Sequence, residues 1–250
     1  MTVCNPVCTP YQLGWRCGDD SAPLGESEPY AELVGSLLYL SQCTRPDISH
    51  AVGVLTRHMS SPKLAHWELA KRILRYLRGT WNFGLCYNSG SYLGGFTDSD
   101  FAGDVASSKS TTGCVFELCG AAVSWASKKQ TVVATSTCES EYIAACYDAK
   151  EGTWLRQMLR ELGCGDLLGG ATPVGIDNNG ALCLIVNGAT NARTRHTRVS
   201  FHFVRACHAS GELEYCSVST EAQHADFLTK ALAAPTFERN VAFVGLTRVV

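Results

Sequence analysis

The sequence lacks the features of membrane-spanning and secreted proteins. No apolar run approaches the roughly 18 residues that a membrane span needs, although 46% of the 250 residues are hydrophobic. Residues 1–10 show no basic stretch followed by an apolar one, so we expect an intracellular, cytoplasmic protein without a membrane partner. The 13 cysteines form no C-x-x-C pair, which argues against a zinc ribbon or a thioredoxin-like site. We therefore expect reduced thiols, as in other intracellular proteins.

Charge is scarce and nearly balanced. Charged residues make up 18% of the chain, and the formal net charge is −2. This balance excludes attraction of nucleic acid by the molecule as a whole, so any such contact must come from a local basic patch. The basic residues do form clusters, each of which is either a solvated surface or a phosphate-contacting one. These clusters are Lys71, Arg75 and Arg78 at helical spacing, Lys128 and Lys129 at a strand end, and Arg193, Arg195 and Arg198.

Hydrophobic periodicity divides the chain into four parts. Residues 1–29 are rich in Pro, Gly, Ser and acids and are predicted to be a tether or a truncated edge. Residues 30–80 show the spacing of amphipathic helices. Residues 83–234 begin with short strand patterns and then alternate between helix and strand, and residues 235–250 are assigned to a C-terminal tail. This order predicts an α/β protein with a mixed sheet flanked by helices, preceded by a small helical segment.

Four acidic residues stand out by position. Asp98 ends an apolar strand pattern, and Asp177 directly follows a short strand. Glu141 lies in the first turns of a long predicted helix, and Asp226 opens the predicted final helix. Ligands collect outside the carboxyl ends of strands in α/β sheets, so these acids can converge there. Any one acid alone is an ordinary turn or surface residue, but the four together predict a site for two Mg²⁺ ions, spaced about 3.5–4 Å apart, that cleaves phosphodiesters.

Helix geometry separates Glu141 from its neighbour Glu139. At about 100° per residue, Glu141 has nearly the same azimuth as Leu159 and borders the apolar stripe of the long helix. Glu139 falls near Lys150 on the polar face. We therefore predict that the Glu141 side chain points along the sheet toward Asp98, while Glu139 faces water.

Longer motifs identify a family. The stretches TDSDFAGD (97–104), KSTTG (109–113), SWASKKQ (124–130), ESEY (139–142) and ADFLTK (225–230) closely resemble the ribonuclease H domain of copia-type retrotransposon Pol polyproteins. Upstream, LVGSLLYL (33–40), RPDI (45–48) and KRILRYL (71–77) are similar to the segment that joins the reverse transcriptase of that family to its ribonuclease H. The resemblance runs in order from about residue 30 to 232, which makes it far more specific than one short pattern.

The resemblance implies a ribonuclease H-like fold and Mg²⁺-dependent cleavage of the RNA strand in RNA–DNA hybrids. It places the catalytic and metal-binding acids at Asp98, Glu141, Asp177 and Asp226. The rest of the Pol polyprotein, including the polymerase, is the implied partner, and cytoplasmic virus-like particles are an implied setting. No Tyr-x-Asp-Asp motif occurs, so no polymerase site is implied in this chain. The alternative is a catalytically inactive nucleic-acid-binding or scaffolding remnant, because genomic copies of such elements decay.

Overall fold

The computed structural model describes residues 4–17, 21–188 and 198–249, and the backbone alone for 198–201. In chain order its elements are α1 (Tyr30–Cys43), α2 (Ser49–Thr56), α3 (Leu64–Gly79), β1 (Phe83–Leu85), β2 (Gly94–Asp104), β3 (Lys109–Leu118), β4 (Ala121–Lys129), α4 (Thr137–Glu161), β5 (Thr172–Ile176), α5 (Asn179–Asn187), α6 (Arg198–Ala209), β6 (Leu213–Ser217), α7 (Ala234–Phe243) and β7 (Leu246–Arg248). The predicted class, a mixed α/β sheet with helices after a small helical segment, is confirmed. No helix in these described ranges is both long and apolar enough to cross a lipid bilayer.

The chain forms two compact units, Met1–Cys86 with Lys230–Val250, and Tyr87–Thr229. The sequence predicts a C-terminal tail at 235–250, whereas the structure places α7 and β7 there. Pro235 lies in the first turn of α7 because a proline there sacrifices no hydrogen bond of the helix. Strand β7 then pairs antiparallel with β1, so the end of the chain is part of the first unit.

A buried polar network organises the helices of the first unit. Both oxygens of Asp47 accept hydrogen bonds from Arg45, whose Nη2 lies 2.6 Å from Asp47 Oδ2. The Tyr76 hydroxyl of α3 also donates to Asp47 Oδ2, at 2.6 Å. Arg45 Nη1 donates to the Thr80 carbonyl oxygen just after α3, at 3.0 Å. Because a buried charge is tolerated only when it is paired, the RPDI motif has a structural role here.

The second unit contains the five-stranded sheet, in the order β4-β3-β2-β5-β6. Strands β2, β3 and β4 pair antiparallel, and β5 pairs parallel with both β2 and β6. The turn between β3 and β4 consists of Cys119 and Gly120, whose φ angles are 55° and 79°. Two positive φ values in a two-residue hairpin are the geometry that matches strand twist. The predicted strand pair on either side of Gly120 is therefore present.

The core of the second unit lies between the sheet and its helices. Phe116 of β3, Tyr142 of α4 and Leu213 of β6 each leave 1% or less of their surface exposed. Gly152 of α4 allows close packing here, because a Cβ at this position would lie 2.9 Å from the ring of Phe116. This close contact holds α4, and with it Glu141, against the sheet.

One predicted helix is wrong. The sequence predicts a final helix at 222–233, but the structure has only two single turns of 3-10 helix, Thr220–Ala222 and Asp226–Leu228. Tertiary hydrogen bonds override the local helical pattern in this segment. The Gln223 side chain, which is fully buried, donates from Nε2 to the carbonyl oxygen of Thr97 in β2 at 2.9 Å. Asp226 consequently lies in a short turn beside the sheet.

Candidate metal and active site

Three of the four predicted acids meet in the second unit. Oxygen atoms of Asp98, Glu141 and Asp177 all lie within 4.8 Å of one another. Asp98 and Glu141 are buried, with 2% and 5% of their surfaces exposed, and Asp177 is half-buried. The cluster is therefore a compact group of carboxylates with one side closer to solvent.

Sheet register explains how two of these acids meet. Strand β5 runs parallel to β2, with Gly95 opposite Val174 and Phe96 opposite Gly175. Asp177 follows β5, so it lies beside Asp98, two residues beyond the pair Phe96 and Gly175. Asp98 does not end its strand as the sequence predicts, because β2 continues to Asp104 in its pairing with β3. What ends near Asp98 is the pairing with β5.

Helix capping brings the third acid into the cluster. Ser136 is the N-cap of α4, and its side chain accepts a hydrogen bond from the Glu139 backbone N–H at 3.2 Å. The Glu139 carboxylate reaches back and accepts from the Thr135 backbone N–H at 2.7 Å. This reciprocal arrangement fixes the start of the helix. Glu139 thus caps the helix and is only partly exposed, while Glu141 turns toward Asp98 as predicted.

The surroundings of Glu141 disfavour its ionised form. Its Oε1 accepts a hydrogen bond from the Ser99 backbone N–H at 3.2 Å, whereas its buried Oε2 has no hydrogen-bond partner among the described residues. Burial, reinforced by the negative charges of Asp98 and Asp177, raises the pKa of Glu141 to about 9. A cation between the three carboxylates would remove this repulsion and use the unpaired oxygen.

The donor set fits a hard divalent cation. All three side chains offer oxygen ligands, which Mg²⁺ and Ca²⁺ prefer. Opposite ligands of such an ion are separated by twice the metal–oxygen distance, roughly 4–5 Å. The mutual distances of up to 4.8 Å therefore allow the three oxygens to share one ion.

Asp226 stands beside this cluster without being a member of it. Asp226 is buried and lies in the single 3-10 turn Asp226–Leu228. Thr229 follows this turn, and its hydroxyl donates to Asp98 Oδ2 and lies 3.1 Å from the carbonyl oxygen of Asp226. The structure thus links Asp226 to Asp98 through Thr229. Sequence reasoning missed Thr229 and the buried Gln223, although both lie within three residues of Asp226.

The lysines near the site already have partners within the second unit. Lys129 forms a salt bridge with Asp104, at the far end of β2. The Lys128 ammonium lies over the ring of Tyr147, 5.4 Å from its centroid. Arg193 and Arg195 lie outside the described residues, as does the side chain of Arg198. A nucleic acid would therefore compete with Asp104 for Lys129, which stays a predicted contact.

The basic cluster of α3 belongs to the first unit and has partners as well. Lys71 forms a salt bridge of 2.5 Å with Glu68. Arg75 Nε donates to the carbonyl oxygen of Asn5 at 2.8 Å, and Arg78 Nη1 lies 3.6 Å from the Cys4 sulfur. Residues 4–9, part of the predicted tether, thus lie along this face of α3. The partner of Arg75 is a neutral carbonyl oxygen. Phosphate contact by Lys71, Arg75 and Arg78 stays a prediction.

We expect the Lys71/Arg75/Arg78→Ala triple variant to weaken hybrid binding most at low salt. Each lost phosphate contact should reduce the slope of log affinity against log salt by about 0.7–0.9. Cleavage at saturating substrate should be nearly unchanged, because the cluster holds no acid suited to hydrolysis. Measuring the affinity for the hybrid at a series of salt concentrations gives this slope. The matched control is Arg16/Lys150/Arg239→Ala, which removes the same charge from exposed positions on separate elements. Equal slopes in the two variants would assign the α3 cluster a structural role.

A cavity of about 510 Å³ opens in the first unit. Its lining is largely apolar and includes Tyr76, Phe83 and Phe237. Glu238 is the single carboxylate among its lining residues. One carboxylate does not make a cluster like that of Asp98, Glu141 and Asp177, so this cavity is not the candidate metal site.

Comparison with known proteins gives the family. No family model matches the chain. The retrovirus-related Pol polyprotein from transposon TNT 1-94 of Nicotiana tabacum is 45% identical over 98% of this chain and 19% of its own length. The corresponding polyprotein from transposon RE1 of Arabidopsis thaliana is 38% identical over 100% of this chain and 17% of its own length. Among solved structures, the compost-derived LC11-RNase H1 is 14% identical, covers 61% of this chain and 99% of its own, and has a TM-score of 0.42.

The match covers both units and confirms the family predicted from the motifs. The chain spans less than a fifth of the length of these two polyproteins. The chain belongs to the retrovirus-related Pol polyproteins of copia-type transposons.

Proposed function

We propose that the second unit is a ribonuclease H that cleaves the RNA strand of RNA–DNA hybrids during reverse transcription of a retrotransposon. The observation that carries this proposal is the convergence of Asp98, Glu141 and Asp177, with one Glu141 oxygen that has no hydrogen-bond partner among the described residues. The sheet order and the family motifs around the three acids support it. The proposed partners are the hybrid and the remainder of the Pol polyprotein, including its polymerase, in the cytoplasm.

In this proposal the three carboxylates hold divalent cations, Mg²⁺ first and Mn²⁺ as an alternative. Two bound ions would supply Lewis-acid stabilisation of the attacking and leaving oxygens of the phosphodiester. The chain's own contribution is orientation, because the Ser99 backbone N–H holds one oxygen of Glu141 and the Thr229 hydroxyl holds one oxygen of Asp98. Asp226 would complete the ligand set for the second ion from the adjoining turn.

Recognition of the hybrid would depend on shape. A-form-like helices display 2′-hydroxyls and phosphates in a wide, shallow minor groove, which proteins contact without reading sequence. Lys128, Lys129, Arg193, Arg195 and Arg198 are the proposed contacts in the second unit. Because the net charge is −2, contact with a phosphate backbone needs local cations such as these.

Digestion of a labelled RNA–DNA hybrid tests the proposal. We expect the full chain to cleave the RNA strand with Mg²⁺ and to stop when EDTA is added. Asp98→Asn should lower the cleavage rate at least about 100-fold, beyond the range typical for loss of an outer-shell partner, while hybrid binding persists. Single-stranded RNA and double-stranded DNA serve as substrates that should remain intact.

A second candidate is a nucleic-acid-binding remnant without activity. The position of Asp226 outside the three-acid cluster is the observation that favours it. In that case the wild-type chain binds the hybrid without cleaving it, and Asp98→Asn leaves the binding unchanged. Absence of Mg²⁺-dependent cleavage in the wild-type chain would therefore reject the nuclease in favour of the remnant.

A further inference from the structure

Thr229 is a buried hydroxyl aimed at the acidic cluster. The residue has 0% of its surface exposed, and its Oγ1 donates to Asp98 Oδ2. Its backbone N–H donates to the carbonyl oxygen of Asp226 at 3.1 Å, which closes the short turn. The hydroxyl therefore lies between the carboxylate of Asp98 and the backbone carbonyl of Asp226, and a donor there matches the carboxylate oxygen.

Two other residues hold this turn against the sheet. Gln223 donates to the Thr97 carbonyl oxygen, one residue before Asp98, and its own Oε1 accepts from the Ala225 backbone N–H at 3.2 Å. Gly113 of β3 lies directly opposite Asp98 in the strand register. A Cβ at position 113 would lie 2.6 Å from Cγ2 of Thr229, so only glycine lets the turn approach this closely.

We propose that Thr229 is a positioning residue that fixes the rotamer of Asp98 for metal binding, an inference that rests on the proposed function. The arrangement parallels that of Glu141, whose Oε1 is held by the Ser99 N–H while Oε2 has no partner in the part of the chain that the structure describes. Holding one oxygen of a carboxylate by a fixed donor orients the whole group, and such partners of metal ligands tune affinity. Thr229 acts through Asp98 and touches no substrate.

The test compares Thr229→Val, which keeps the shape and removes the donor, with Thr229→Ser, which keeps the donor. We expect Thr229→Val to raise the Mg²⁺ concentration for half-maximal cleavage by about 10–100-fold, with the KM for hybrid at saturating Mg²⁺ unchanged. The Mg²⁺ concentration for half-maximal thermal stabilisation should rise in parallel, and this readout does not need activity. Thr229→Ser should stay close to the wild type in both.

Thr97→Val is the matched control. Thr97 is also fully buried and precedes Asp98, but its Oγ1 has no hydrogen-bond partner among the described residues. We expect its Mg²⁺ dependence to match the wild type. Three results would each overturn the role of Thr229. The Mg²⁺ requirement could rise equally in Thr97→Val and Thr229→Val, or it could rise as much in Thr229→Ser as in Thr229→Val. It could also stay unchanged in Thr229→Val.

Gly113→Ala provides a second route if Thr229→Val does not fold. The added Cβ pushes the Thr229 methyl group and displaces the hydroxyl without removing it, so the Mg²⁺ requirement should again rise. An unchanged requirement would overturn the inference. Wild-type chain that is stabilised by Mg²⁺ but cleaves nothing rejects the proposed function alone, and Thr229 is then judged by thermal stabilisation. If Mg²⁺ neither stabilises the wild-type chain nor supports cleavage, both the proposed function and the role of Thr229 are rejected.

Discussion

Replacing Glu141 by Gln is expected to lower hybrid cleavage at least about 100-fold, because the change removes a ligand itself and outer-shell partners alone cost 10–100-fold. Glu139→Gln should keep nearly full activity. The two residues lie on the same helix two positions apart, but Glu141 is in the acidic cluster while Glu139 caps the helix through Thr135. Single-turnover cleavage of a labelled hybrid at saturating Mg²⁺ measures the difference.

The pair controls for general damage to α4. A Gln side chain at position 139 still offers an oxygen to the Thr135 N–H, so the helix start should survive, with a cost of a few tenths to about 1 kcal/mol. Circular dichroism of both variants checks this. Equal loss of cleavage in the two variants would show that the start of α4, and not the carboxylate of Glu141, is what cleavage requires.

The same Glu141→Gln change is expected to stabilise the metal-free protein by on the order of a few kcal/mol near neutral pH, because the wild-type carboxyl must take up a proton on folding and the Gln amide does not. Burial and the neighbouring acids raise the pKa of Glu141 from 4.5 to about 9. The unfolded chain therefore ionises this group before the folded chain does. The stability it contributes is complete below pH 4.5 and is lost as the pH rises toward about 9. Urea denaturation of both proteins in EDTA, at about pH 5 and about pH 8, measures their free energies of unfolding. The difference between the variant and the wild type should be larger at the higher pH.

With Mg²⁺ present, the wild-type chain should become more stable than Glu141→Gln. A ligand that binds only the folded state stabilises it, so wild-type chain should gain stability with Mg²⁺ and Glu141→Gln should gain much less. Glu117→Gln is the control, because burial raises the pKa of Glu117 to about 7 and its Oε1 lacks a partner among the described residues, yet it is outside the acidic cluster. Its Mg²⁺ response and cleavage should match the wild type. If Glu141→Gln is no more stable than the wild type in EDTA at high pH, then burial and the charges of Asp98 and Asp177 do not disfavour an ionised Glu141 as assigned.

Local sequence patterns were enough for several elements of the second unit. The sequence predicts a long helix over 137–162, closed by Gly163, and α4 spans Thr137–Glu161. An N-cap serine starts this helix, and Gly163, with a φ of 74°, follows it. The strand pair around Gly120 follows from turn chemistry. The inward face of Glu141 follows from helical periodicity alone. In each case the determining interactions lie within a few residues along the chain.

Long-range contacts decided the rest. The turn signal Asn88-Ser89-Gly90 predicts that the Phe83–Tyr87 strand is followed by a neighbouring one, but β1 pairs with β7 at the other end of the chain. No local pattern indicates a partner about 160 residues away. The same holds for residues 222–233, where the hydrogen bonds of Gln223 and Thr229 to β2 replace the predicted helix.

The motifs in the sequence determined the family, and the order of helix and strand patterns determined the α/β class. Helical periodicity also determined that Glu141 faces Asp98. Only the tertiary structure decided which donors hold those acids and which cations already have partners. Ser99 and Thr229 reach Glu141 and Asp98 from 42 and 131 positions away. Such contacts depend on how whole elements pack, and a short sequence window carries no information about that packing.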